Sequence, residues 1–154
     1  MHMDYAIAKL SWNDVTKSVL NLAKEVKDID TIVTIGRGGN IPGTMLGYRL
    51  GTKNIVNFGI QSYNDDKTAE KITIQQTPNI SDLKGKKVLV VDDLADKGTT
   101  LKYVKEYLET HNINPTFCTL YIKKGTGFVP NYYTETFNDD VWIEFPWDDL
   151  TSCV

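Results

Sequence analysis

Apolar residues recur along this chain in two different rhythms. Val15, Val19, Leu22, Ala23 and Val26 fall at the spacing of one buried helix face. Ser11 and Asp14 stand just ahead of them, and a hydroxyl with an acid three residues on is the pattern of a capping box. Asp28 to Asp30 breaks that face, and Thr31 to Ile35 follows as a continuous β-branched run, the mark of a strand covered on both sides. Lys87 to Val91 is the clearest strand of this kind, joined by Asn54 to Gln61 and Pro115 to Ile122. Tyr132 to Phe137 and Val141 to Phe145 predict two shorter ones. Helical spacing returns from Ile41 to Leu50, with Pro42 in its first turn and Gly51 at its end. It returns again from Thr99 to His111, where Leu101, Val104, Tyr107 and Leu108 share a face.

Strands alternating with helices predict an α/β fold, a mainly parallel central sheet flanked by helices. The length of 154 residues suits one domain over 1–154. The stretch 62–85 does not fit the alternation. It is polar, only Ile72 and Ile74 alternate within it, and it predicts a functional or mobile segment holding a short hairpin arm. In open α/β sheets, ligands bind beyond the carboxyl ends of the strands. Two glycine-rich loops, 36–39 and 96–100, fall at such ends.

Composition narrows the partners. Apolar residues make up 41% and charged ones 24%, ordinary for a globular protein. The formal charge of -3, with no basic cluster beyond Lys84, Lys86 and Lys87, argues against nucleic acid as a partner. The two cysteines, Cys118 and Cys153, give neither a metal-ligand spacing nor a disulfide framework. No apolar stretch is long enough to span a membrane, so a cytoplasmic location without membrane contact is expected.

The candidate chemistry lies in the two loops. Asp92 and Asp93 end a strand, Asp96 lies in the short loop after it, and Gly98, Thr99 and Thr100 open a helix. Loop amides, a helix N-terminus and threonine hydroxyls together can hold a phosphate. Carboxylates suit its neighbours, ribose hydroxyls and Mg2+, a hard cation. A sugar phosphate with a metal therefore accounts for both halves of the loop. In Gly36-Arg37-Gly38-Gly39 the glycines allow backbone to approach an anion closely, and Arg37 can neutralise it. Taken singly, these residues fit plainer roles, as acids at a solvated turn or an arginine in water.

Val88 to Thr100 (VLVVDDLADKGTT) resembles the signature with which type I phosphoribosyltransferases bind phosphoribosyl pyrophosphate, PRPP. Two residues depart from it: Lys97 stands where that family usually has Thr or Ser, and Thr99 where the purine enzymes often have Gly. Val141 to Asp148 (VWIEFPWD) is similar to the C-terminal segment of the bacterial xanthine-guanine phosphoribosyltransferases, as are SWND, IGRGGNIPGTMLGYRLG and the Ser62-Tyr63 pair. The resemblance is collinear and covers nearly the whole chain.

It implies the type I phosphoribosyltransferase fold, with a flexible lid over 62–85 and a small purine-recognition hood over 123–154. The implied reaction joins a 6-oxopurine (guanine, xanthine or hypoxanthine) to PRPP, giving a nucleoside 5′-monophosphate and pyrophosphate, with Mg2+ as cofactor. Arg37, Gly38 and Gly39 would face the pyrophosphate, and Asp92 and Asp93 the ribose hydroxyls and metal. Ala95, Asp96, Lys97, Gly98, Thr99 and Thr100 would cradle the phosphate, with Asp96 also sharing a purine proton. Trp142 would stack on the purine, backbone around Ile143 would read its 2-substituent, and Lys123 would donate to the 6-oxo group, with Lys124 an adjacent alternative. Asp148 would hold a second metal or a water, with Glu144 the alternative. The family also implies a homodimer or tetramer. Two rivals use similar parts: a regulatory protein of the same fold without turnover, and a response-regulator receiver. In a receiver the acid pair should follow an early strand, and here it comes late.

Overall fold

The computed structural model describes residues 6–64 and 70–151. Helix α1 (Trp12–Glu25) opens as its sequence predicts. Ser11 Oγ accepts from the Asp14 amide at 3.1 Å, and the Asp14 carboxylate accepts from the Ser11 amide at 2.8 Å. Strand β2 (Thr31–Gly36) leads to α2 (Asn40–Leu50), which Gly51 ends in the left-handed conformation that glycine adopts without a steric penalty. Then come β3 (Asn54–Asn64), β4 (Glu70–Gln76), β5 (Val88–Ala95), α3 (Thr99–Thr110) and β6 (Thr116–Lys123). Two short strands, β7 (Glu135–Phe137) and β8 (Val141–Glu144), follow, and Ala6–Lys9 forms the first strand, β1.

The main sheet has the order β4-β3-β2-β5-β6-β7, parallel throughout except for β4, which pairs antiparallel with β3. Successive residues of its central strands serve opposite layers, because side chains alternate across a sheet. Ile32, Leu89, Val91, Cys118 and Leu120 pack with α1 and α2 through Val15, Val19, Leu22 and Leu46. Val33, Val88, Val90 and Phe117 pack on the other face with α3 through Leu101, Val104 and Leu108. The chain winds outward from β2 to β3 in one direction and from β5 to β6 in the other. The crevice between β2 and β5 is therefore where a ligand is expected.

Several boundaries differ from the sequence reading. Strand β3 runs on through Ser62 and Tyr63, because β4 pairs with it there and supplies the ladder that the polar residues alone do not announce. The segment 62–85 accordingly divides into a hairpin arm and a return turn. Leu83 in that turn is fully buried in the α3-side core, and residues 65–69 of the expected lid lie outside the described residues. Finally, β8 does not join the main sheet. It pairs in parallel with β1 in a separate two-stranded sheet, Ile7 opposite Trp142 and Lys9 opposite Glu144. An aromatic stack ties this small sheet to the body, with Trp147 lying parallel to Phe145 at 4.6 Å and tilted against Trp12 at 5.9 Å.

Candidate active site

Strand β5 is longer than its apolar run. Its ladder with β6 continues through Asp92 opposite Thr119 and Leu94 opposite Tyr121 to Ala95 opposite Ile122. The two acids are thus held in a hydrogen-bonded strand rather than in the loop after it, and the Asp93 amide donates to Asp92 Oδ1 at 2.8 Å. Opposite them, β2 ends at Gly36 and turns through Arg37, Gly38 and Gly39 into α2; the Gly36–Arg37 peptide is cis. Between the two strand ends lies a cleft of about 240 Å3. Arg37, Gly38, Asp92, Asp93, Ala95, Asp96, Lys97, Gly98, Thr99 and Thr100 line it, so ten of the residues singled out in the two loops meet in one place. Gly39 stands just behind. Ser62 from the arm lines the same cleft, a contribution the sequence did not reveal.

A wider cleft of about 670 Å3 shares Arg37, Gly38 and Asp93 with the first and adds Asn40, Ile41, Trp147, Asp148 and Leu150. One of the two candidate acids lines it. Asp148 lines it, its Oδ2 accepting from the Phe145 amide at 2.8 Å. Glu144 faces elsewhere, 4.0 Å from Lys9 Nζ, and its carboxyl is raised above the usual range by a hydrogen bond with Asp149. Asn40 and Trp147 are lining residues to which the sequence motifs assign no role, although Trp147 sits directly before Asp148.

The glycines are there for space. A β-carbon on Gly38 would stand 2.3 Å from Asp93 Oδ2, so the bare backbone lets loop and carboxylate meet. Burial, followed by repulsion from Asp93, pushes the Asp92 carboxyl well above the usual carboxylate range, and burial raises Asp93 as well. Two carboxylates adjacent in one strand are residues that could hold a cation. Among the described residues no three His, Cys, Asp or Glu side chains could hold a metal ion by themselves.

A stability test follows from the raised Asp92. The folded chain holds that proton more tightly than the unfolded chain. Its contribution is complete below the ordinary carboxylate range and is lost as pH rises through the raised value. Asn never ionises. Asp92→Asn is therefore expected to melt above the unmodified ligand-free chain, by roughly 2–4 °C for each kcal/mol relieved, with the gap widening as pH rises. Melting curves across pH check it, and a gap that narrows with pH would contradict it.

At the far side of the first cleft, Gly98 carries φ +88°, and a β-carbon there would meet Phe128 at 2.7 Å. Helix α3 begins at Thr99 with no side-chain cap, leaving its first amides directed at the cleft. The Lys97 side chain is exposed beside them, while its carbonyl accepts from the Gly127 amide at 3.0 Å. Lys97 thus brings a positive charge to the rim of the cleft.

The two lysines separate by burial. Lys123 ends β6 at 5% exposure and its Nζ donates to the Val141 carbonyl, whereas Lys124 is exposed. Ile143 is buried beneath the small sheet. Trp142, next to Val141, is 63% exposed with its indole outside both clefts. Trp142 and Ile143 thus point to opposite faces of β8, and only Lys123 of the three is tied to this strand by a side-chain hydrogen bond, through the Val141 carbonyl.

Residues 10–149 match the family described as the phosphoribosyl transferase domain, which is most of the chain. The protein belongs to the phosphoribosyltransferase family. A xanthine-guanine phosphoribosyltransferase of Gluconobacter oxydans (strain 621H) is 36% identical over 118 residues, which is 76% of this chain and 67% of that protein. The crystal structure of a purine phosphoribosyltransferase from Pyrococcus horikoshii OT3 superposes with a TM-score of 0.82 at 31% identity, covering 92% of this chain and 94% of the other. The Helicobacter pylori xanthine-guanine-hypoxanthine phosphoribosyltransferase, 22% identical, shares the fold with a TM-score of 0.79 over 96% of this chain and 97% of its own.

Proposed function

We propose that this phosphoribosyltransferase works in purine salvage, joining guanine, xanthine or hypoxanthine to PRPP to give a nucleoside 5′-monophosphate and pyrophosphate. One observation carries the reading: paired carboxylates and an uncapped helix N-terminus face the Arg37–Gly38 turn across a single cleft. A sugar phosphate bearing a pyrophosphate has the matching groups. Its 5′-phosphate fits the amides of 96–100 and the hydroxyls of Thr99 and Thr100. Its ribose hydroxyls fit Asp92 and Asp93, and its pyrophosphate fits Gly38, Gly39 and Arg37.

A purine nitrogen then attacks the anomeric carbon as the pyrophosphate leaves, with inversion. Arg37 stabilises the departing charge, an electrostatic role. Mg2+, held by Asp92 and Asp93 and at a second position by Asp148, would supply further neutralisation of that charge. Asp96 takes or shares the proton released from the purine ring. The oxocarbenium-like ribosyl centre must be kept from water, which gives the arm of β3 and β4 the role of a lid. Trp142 presents an open indole face on which a flat heterocycle can stack. Lys123 donates to the 6-oxo group, and backbone near Ile143 reads position 2. The protein acts in the cytoplasm as a homodimer or tetramer. Among the described residues no helix is long and apolar enough to cross a membrane.

The ratio of kcat/KM for guanine over adenine tests the assignment. A lost hydrogen bond to a charged donor costs roughly 1.5–3 kcal/mol, about 10- to 100-fold. Lys123→Met, which keeps length and removes the donor, is expected to lower the ratio by that factor. An unchanged ratio, or a wild-type preference for adenine, would sink the 6-oxopurine reading.

A further inference from the structure

The arm and the pyrophosphate loop are joined by a pair of side-chain amides that the proposed chemistry does not use. Asn57 lies in β3 opposite Thr34, and the Thr34 hydroxyl donates to Asn57 Oδ1 at 3.4 Å. That same oxygen lies 2.4 Å from where a β-carbon on Gly36 would stand, so the amide packs directly against the first residue of the pyrophosphate loop. Its other end reaches outward: Asn57 Nδ2 donates to Gln76 Oε1 at 2.9 Å. Gln76 is the last residue of β4, the return strand of the arm, and it faces Gly59 where the β3–β4 register shifts. Asn40, the first residue of α2, closes the group from the other side, with its Nδ2 2.9 Å from the same point beside Gly36.

We propose that Asn57 and Gln76 are positioning residues that couple the β3–β4 arm to the Gly36–Gly39 loop, so that the arm's root sets how firmly the loop holds pyrophosphate. The inference rests on reading 36–39 as the pyrophosphate site. An asparagine amide has two ends that cannot be satisfied independently, because rotating to suit one turns the other. With Gln76 in place, Nδ2 is engaged outward and Oδ1 is fixed towards Thr34 and Gly36. With Gln76 displaced, the amide loses its outer partner and is free to turn against the glycine, where there is no room for anything larger than hydrogen. Displacement of the arm thereby loosens the loop, and a closed arm firms it. Neither residue needs to touch substrate.

Gln76 is exposed at a strand end, so its variants keep the fold. Calorimetry with inorganic pyrophosphate and Mg2+ reads the coupling without turnover. Gln76→Met, which keeps length and removes the acceptor, is expected to weaken pyrophosphate binding about three- to tenfold, the cost of one hydrogen bond. Gln76→Glu, which keeps an acceptor for Asn57 Nδ2, should stay within about twofold of the unmodified chain. Asn57→Ala should weaken binding similarly, and the double variant Asn57→Ala/Gln76→Met no further than the larger single change, since both remove one link. Steady-state kinetics should show the KM for PRPP rising while the KM for the base holds. Unaltered pyrophosphate affinity in Gln76→Met, additive losses in the double variant, or an equal rise in the base KM would each overturn the coupling. Failure of the unmodified chain to bind pyrophosphate would instead strike the assignment of loop 36–39.

Discussion

Asp96→Asn is expected to lower kcat by about 10²- to 10⁴-fold, the range that a positioned acid–base group supplies, while the KM for PRPP changes little. The geometry separates the two quantities. Asp96 follows the last residue of β5 and is exposed on the cleft, outside the ladder that fixes Asp92 and Asp93. The cradle beside it is backbone, the turn at Gly98 and the first amides of α3, and Asn disturbs none of it. What Asn removes is the ability to take a proton at the moment the purine nitrogen attacks. A parallel loss in PRPP affinity would show that Asp96 serves binding instead, and full activity would remove it from the chemistry altogether.

The second large effect is a contrast between neighbours. A β-carbon on Gly39 would stand 2.4 Å from the Val91 carbonyl and 2.7 Å from that of Ile35, the backbones of β5 and β2. Neither can move without opening the centre of the sheet. Overpacking of this kind costs about 1–3 kcal/mol, so Gly39→Ala should melt roughly 2–12 °C lower and lose turnover with it. A β-carbon on Gly38 meets only the Asp93 carboxylate, at 2.3 Å, and a side chain can rotate away. Gly38→Ala should therefore keep its melting temperature and still lose activity by about 10²-fold, since small displacements of a catalytic array cost that much. Melting curves beside rates separate the two variants. Equal stability in both would contradict the packing described for the turn.

Much of this was legible in the sequence where the signal is local. The Ser11–Asp14 cap, the buried run of β2 and the shared face of α3 each follow from residues a few positions apart, and the structure has them all. So does the meeting of the two loops, because a parallel sheet brings strand ends to one edge. The sequence misled where a partner distant in the chain decides. Asp92 and Asp93 lie in a strand because β6 pairs with Asp92 and, beyond Asp93, with Leu94 and Ala95, and no property of an aspartate announces that. Ala6 to Lys9 is too short to read as a strand, and only β8, from the other end of the chain, makes it one. The hood shows the same limit. Burial distinguishes Lys123 from Lys124, yet the two are identical in type and adjacent in sequence. Motif resemblance supplied Trp142, and its indole stands exposed outside both clefts, whereas Trp147, five residues on, lines the cleft with Asp148. A stacking role for Trp142 thus requires the base to lie against the hood rather than within the cleft between the strands.

One measurement bears on the whole account: incubation of the protein with PRPP, Mg2+ and, in turn, guanine, xanthine, hypoxanthine and adenine, with nucleotide and pyrophosphate quantified together. The account predicts nucleoside 5′-monophosphate and pyrophosphate in equal amounts from one or more of the 6-oxopurines, with adenine far behind. No turnover with any base would contradict it and leave a nucleotide-binding regulator of the same fold.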